Sequence, residues 1–148
     1  MAVFTKQGAV VFAVAVLNDG IVPAMELRLF TAKPVGSAVE TNVSQSDFTW
    51  VTTAYGGGAA KSLTKSKWAV DSTTGVSTYS PVGDTTFTAT GTDWANPVKG
   101  YAIVAKGAST TDDKVVFYQW DSGATATTGG FNMTVGSSYA VTLSVSMS

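Results

Sequence analysis

A chain of 148 residues, 45% of them hydrophobic, is long enough to bury a core of its own. It contains no cysteine and no histidine, which removes disulfides, thiolate nucleophiles, the usual serine and cysteine triads and the main ligands of a zinc site. A net charge of −1 with a single arginine gives no basic footprint for nucleic acid, and low charge combined with good hydrophobicity argues against disorder.

Along the chain, Ala9 to Leu17 is apolar on every face. Period alone does not separate a buried strand from a buried helix here, although the valines favour a strand. The run is shorter than the roughly 20 residues that span a bilayer. Following Lys6, it also has the character of a secretion-signal core, but the stronger expectation is a retained segment. Asn18-Asp19-Gly20 is expected to end it. Residues 1–24 are read as an apolar docking segment, with Val10, Phe12, Val14 and Val16 as candidates for a contact with another subunit or protein.

From residue 25 the texture changes to short apolar runs divided by Ser, Thr, Gly and Pro. Strands are expected at Leu27–Phe30, stopped near Pro34, and at Phe48–Thr53. Gly56-Gly57-Gly58 then reads as a mobile loop. A short strand at Lys67–Val70 leads into a turn from Asp71 to Gly75. Thr86–Thr90 alternates cleanly, Lys99–Ala105 places Tyr101, Ile103 and Ala105 on one face, and Val115–Trp120 is densely apolar. Phe131–Val135 and Tyr139–Met147 close the chain. In the last run Tyr139, Val141, Leu143, Val145 and Met147 alternate with small residues, giving one apolar face and one hydroxyl face. About eight short strands at such spacing predict an all-β fold, an antiparallel sandwich of jelly-roll type in a single domain, 1–148, with residues 25–148 forming the sandwich.

The chemistry open to this chain is narrow. Paired carboxylates, as in glycoside hydrolysis, remain possible in principle. However, most of the acids sit in turn-like contexts, where Asp serves local backbone hydrogen bonds. Glu26 abuts a strand beside Arg28 and reads as an edge charge. Asp112-Asp113 reads as a hairpin turn rather than a calcium loop. Lys61, Lys65 and Lys67 read as a solvated loop. No catalytic, cofactor or metal residue is assigned, and the chain is expected not to be an enzyme. Trp50, Trp68 and Trp120 lie in strand-like runs and are expected in the core. Trp94 lies in the loop Gly91-Thr92-Asp93-Trp94-Ala95-Asn96-Pro97 and is the candidate for an exposed contact residue.

An ordered series of segments also carries a resemblance. It runs through Leu27-Arg28-Leu29-Phe30, Thr86-Phe87-Thr88-Ala89-Thr90-Gly91 and Gly100-Tyr101-Ala102-Ile103-Val104. It continues with Val115-Val116-Phe117-Tyr118-Gln119-Trp120-Asp121-Ser122-Gly123 and the Phe131–Ser148 region. Over most of residues 25–148 the chain resembles small tailed-bacteriophage structural proteins of the pattern LRLF, TFTA, GYxIV, LLWxExF and GDTxTVTxxLxLS. It departs from that pattern at Val115-Val116-Phe117, which stand for LLW, at Gln119 in the acidic position, and at Gly136-Ser137-Ser138 in the GDT turn. The resemblance implies a β-sandwich that joins a virion as a symmetric oligomer and has no enzymatic activity. Within that family the expected role is capsid decoration or cement, bound to the major capsid protein in virions assembled in the host cytoplasm. A trimer would suit a three-fold site, and a tail, neck or fibre-adaptor place is the alternative. A carbohydrate- or receptor-binding module is the reading from another class. No nucleic acid, membrane or cofactor is expected as partner.

Overall fold

The structure is a computed structural model that describes residues 2–17, 23–32, 43–125 and 128–146. Among the described residues the fold is mostly β, every strand pairing is antiparallel, and one α-helix lies near the N-terminus. The largest sheet is built from β1 (Ala2–Phe4), β9 (Lys114–Trp120), β8 (Gly100–Ala105), β2 (Met25–Ala32) and β3 (Thr49–Trp50), neighbours in that order, with β4 (Lys61–Leu63) also paired to β2. A three-stranded sheet places β6 (Val76–Tyr79) between β5 (Trp68–Asp71) and β11 (Ser144–Ser146). A two-stranded ladder joins β7 (Thr86–Thr88) to β10 (Ser138–Ala140). The helix, α1, spans Lys6–Leu17.

The large sheet is buried on both faces. Alternation along β2 sends Leu27 and Leu29 to one side and Phe30 to the other. On the first side they pack with Ile103 and Phe117 against Tyr79 of β6, Phe87 of β7, and Val141 and Leu143 from the connection between β10 and β11. On the second side Phe30 joins Val43, Phe48, Ala102, Val104, Val115 and Tyr118, with Trp50 and Trp120 partly buried against them. Edge-to-face ring contacts tie this cluster together, with Phe30 to Phe48 at 5.1 Å and Phe30 to Trp120 at 5.4 Å between centroids.

Several expectations need correction. Ala9–Leu17, which its sequence leaves open between strand and helix, is helical despite its valines, the helix following directly on the short β1. Tyr139–Met147 is not one strand, since β10 pairs with β7 and β11 pairs with β6, so the chain passes from one small sheet to the other between them. The face alternation nonetheless holds there, with Val141 and Leu143 buried and Ala140, Thr142 and Ser144 exposed. Phe131–Val135 contributes a single bridge, Phe131 to Val98, and no strand. β8 alternates as expected and both of its faces are covered, Ile103 in the first cluster and Ala102 and Val104 in the second. Gly56-Gly57-Gly58 is packed rather than open: a Cβ on Gly56 would lie 1.9 Å from the Thr90 carbonyl oxygen. By contrast, the turn after β5 is as expected, with Gly75 at φ +69° and its N–H donated to Asp71. The turn expected at residues 18–20, the stop at residue 34, Met147 and the side chains of Val14 and Val16 lie outside the description.

Candidate interaction surface

Helix α1 is built onto the outer edge of β9. The β1 ladder covers β9 only from Phe117 to Gln119. Just beyond it, the Thr5 N–H donates to the Val116 carbonyl at 3.0 Å, and the Val115 N–H donates to Gln7 Oε1 at 3.0 Å. Thr5 also caps the helix, because its hydroxyl accepts the Gly8 N–H at 2.9 Å while its carbonyl accepts the Ala9 N–H. The Thr5 hydroxyl itself donates to the Val115 carbonyl. Gly8 makes this approach possible, since a Cβ there would sit 2.3 Å from the Val116 carbonyl oxygen.

With one side of α1 seated on β9, the other side faces outward, and it is apolar. Val10 is 63% exposed and Phe12 43% exposed, and Ala9 is exposed beside them. After Lys6 the helix carries no charged residue. This is the reverse of the usual surface helix, whose outer face is polar. No helix among the described residues is long and apolar enough to cross a membrane.

Trp94 is not part of this surface. It is 7% exposed, its indole N–H donates to the Gly56 carbonyl at 3.0 Å, and its ring meets Tyr55 edge-on at 5.5 Å. The loop folds inward because the main chain at Trp94 is also tied to Met133. The expected exposed contact is therefore a core residue. Of the other three tryptophans, Trp50, Trp68 and Trp120 are all partly buried against the two cores.

A second cluster, not anticipated from the sequence, lies where β2 meets the β8–β9 hairpin. Arg28 Nη2 contacts Glu26 Oε2 at 2.9 Å and Asp113 Oδ2 at 2.6 Å, and Lys106 Nζ reaches the same Asp113 oxygen at 3.3 Å. Arg28 also bonds Gln45, and its guanidinium lies 5.8 Å from the centre of the Trp50 ring. Glu26 is thus no edge charge, since β2 is flanked by β8 on one side and β3 and β4 on the other. Burial alone would raise the Asp113 pKa, but the Gly107 N–H, Arg28 and Lys106 together hold it below the ordinary carboxylate value. The cluster ties β2 to the start of β9 and to the end of β8 through one buried carboxylate. The signal for it in the sequence was slight: an Arg two residues after a Glu on an alternating strand.

Comparison with known proteins adds no relatives: no family model, no curated protein and no solved structure matches the chain.

Proposed function

We propose that this protein is a non-enzymatic structural component of a tailed-bacteriophage virion, a decoration or cement protein that fastens onto the assembled head. The observation that carries this reading is the outward face of α1, an uncharged apolar helix held on a β body. The resemblance of residues 25–148 to small phage structural proteins supplies the setting. The architecture that fits is an antiparallel sandwich of jelly-roll type, with the large sheet facing the two smaller ones across the main core.

The occupant of the α1 face is the major capsid protein. A 12-residue helix is about 18 Å long and covers far less than the roughly 800 Å² per partner of a stable complex. Such a contact holds weakly to a single free subunit. It becomes useful where an assembled shell presents the same surface many times and adds further contacts around each copy. Binding only to the assembled shell stabilises that shell by mass action.

Two measurements test the reading. Counted against the major capsid protein in purified virions, this chain is expected at comparable copy number. A few copies per particle would move it to the tail, neck or fibre adaptor, and absence would overturn the virion reading in favour of a binding module. Val10→Asp combined with Phe12→Ser is expected to abolish binding to shells while leaving the fold intact, because both side chains already face water. Point substitutions are the proper probe, because removing residues 2–17 would bare the edge of β9.

A further inference from the structure

Lys99 carries a charge that the fold leaves short of partners. The residue is 7% exposed, and its ammonium donates to the Gly129 carbonyl at 2.6 Å. Among the described residues that ammonium makes no other hydrogen bond and no ion pair. An ammonium has three donors, and a buried one ordinarily meets a carboxylate or several acceptors. Two of its N–H groups are therefore left for an acceptor outside the chain. The stem is held in place by Gly130, which passes over it at φ +104°, where a Cβ would lie 3.2 Å from the Lys99 Cδ.

Polar and aromatic groups with capacity to spare surround it. Asp121 lies across from Lys99, its N–H donated to the Lys99 carbonyl at 2.7 Å. One carboxylate oxygen of Asp121 accepts the Tyr139 hydroxyl at 2.8 Å, and the other has no partner among the described residues. Two residues earlier, on β9, Gln119 accepts the Tyr101 hydroxyl at 2.8 Å and keeps its amide N–H groups unused. Burial and the Asp121 carboxylate push the Tyr139 phenol far up, so it stays a donor at any ordinary pH. Phe131 bridges Val98, the neighbour of Lys99 in the chain; it is 38% exposed, and its ring lies 5.5 Å from that of Tyr139. Tyr101 and Tyr139 are half-buried against the first core, which puts the group at the margin of that core.

We propose that Lys99, Asp121 and Phe131 form a binding site for a neutral saccharide, with Gln119 at its rim. A sugar hydroxyl accepts from the Lys99 ammonium, and an adjacent hydroxyl donates to the free oxygen of Asp121. The apolar C–H face of the pyranose ring packs on Phe131. The two charges select this class over its competitors. One cation and one carboxylate already balance, so an anionic ligand would satisfy Lys99 and oppose Asp121 at the same time. A purely apolar ligand would leave the buried ammonium unmet. An apolar wall with a few placed polar groups is the usual make-up of a small-ligand site. None of these residues is on α1, and the site does not depend on the virion reading.

The test is a titration of the isotope-labelled full chain with glucose, galactose, mannose and N-acetylglucosamine and with short oligomers of each, followed by amide resonances. At least one of these sugars is expected to shift the amides of Lys99, Asp121, Gly130 and Phe131 together, saturating in the millimolar range. Phe131→Ala and Asp121→Asn are each expected to weaken that binding about tenfold, with the fold verified by circular dichroism. Lys99→Met keeps the apolar stem, removes the ammonium and is expected to abolish binding. Should that variant fail to fold, the other two decide. A natural chain whose amides at these positions respond to none of the sugars overturns the proposal and leaves Lys99 as a latch on Gly129 alone. So does binding that survives all three substitutions, or glucuronate binding more tightly than glucose, which would assign the site to an anion.

Discussion

Two sheet edges in this protein are treated in opposite ways. The edge of β9 is closed: three residues of β1 pair with it, and then Thr5, Gln7 and Gly8 continue the cover with a cap, a side-chain amide and a close helix. The edge of β5 carries Val70 largely exposed and no partner strand among the described residues. Sheet edges left bare invite pairing with other chains, and only one of these two edges is closed by the chain itself among the described residues. The difference also separates what holds the fold from what is free to be used. On β9 the covering residues are structural, and the surface available for contact is the back of the helix. On β5 the strand itself is available.

Substitutions at the closed edge sharpen the contrast. Gly8→Val is expected to have the largest effect, destabilising by about 3 kcal/mol, because its side chain must enter space held by the Val116 carbonyl and the helix must lift from β9. Chemical denaturation gives the free energy, and faster amide exchange at Val115 would show that the edge has opened. Asp113→Asn, at the foot of β9, is expected to cost about 2 kcal/mol, because Arg28 keeps Glu26 but loses its other carboxylate.

The same residue sets a pH dependence. The folded-state pKa of Asp113 lies below its ordinary value of 3.8, so its contribution is fully present above that value and is lost as the pH falls through the folded value. A stability profile through the acid range should therefore be flatter for Asp113→Asn than for the natural chain. Equal slopes would show that the cluster does not hold Asp113 ionised. The smallest effect belongs to Thr5→Ala, about 1 kcal/mol for the lost cap and its bond to β9, read from the shift in denaturation midpoint. At β5, Val70→Pro should leave stability where it was, and a loss comparable to that at Gly8 would erase the distinction between the two edges.

Much of the strand content was legible because it is local. Thr86–Thr88 is a strand for the reason its sequence suggests, period-two alternation, while Gly100–Ala105 and Lys114–Trp120 are short apolar runs bounded by turn formers, as suits strands buried on both faces. The small strands were less visible: Ala2–Phe4, Lys61–Leu63 and Val76–Tyr79 are too short for a period to declare itself. Of the contact candidates, Val10 and Phe12 are exposed, whereas Trp94 is buried despite its loop context. A tryptophan in a polar loop looks exposed until its loop is seen folding onto a carbonyl 38 residues away.

By itself the sequence determined that the protein is mostly β, where its main strands lie, and that no thiol or imidazole chemistry is open to it. Those follow from residue type and from spacing over a few residues. Tertiary structure alone decided that the valine-rich run Ala9–Leu17 coils into a helix, that Tyr139–Ser146 divides between two sheets, and that Glu26, Arg28, Lys106 and Asp113 meet. A run apolar on all sides has no preferred face, so its conformation is set by the surface it lands on, here a strand edge only partly filled. Charges 85 residues apart in the chain carry no local sign of each other, and only the register of β2 against β8 and of β8 against β9 brings them together.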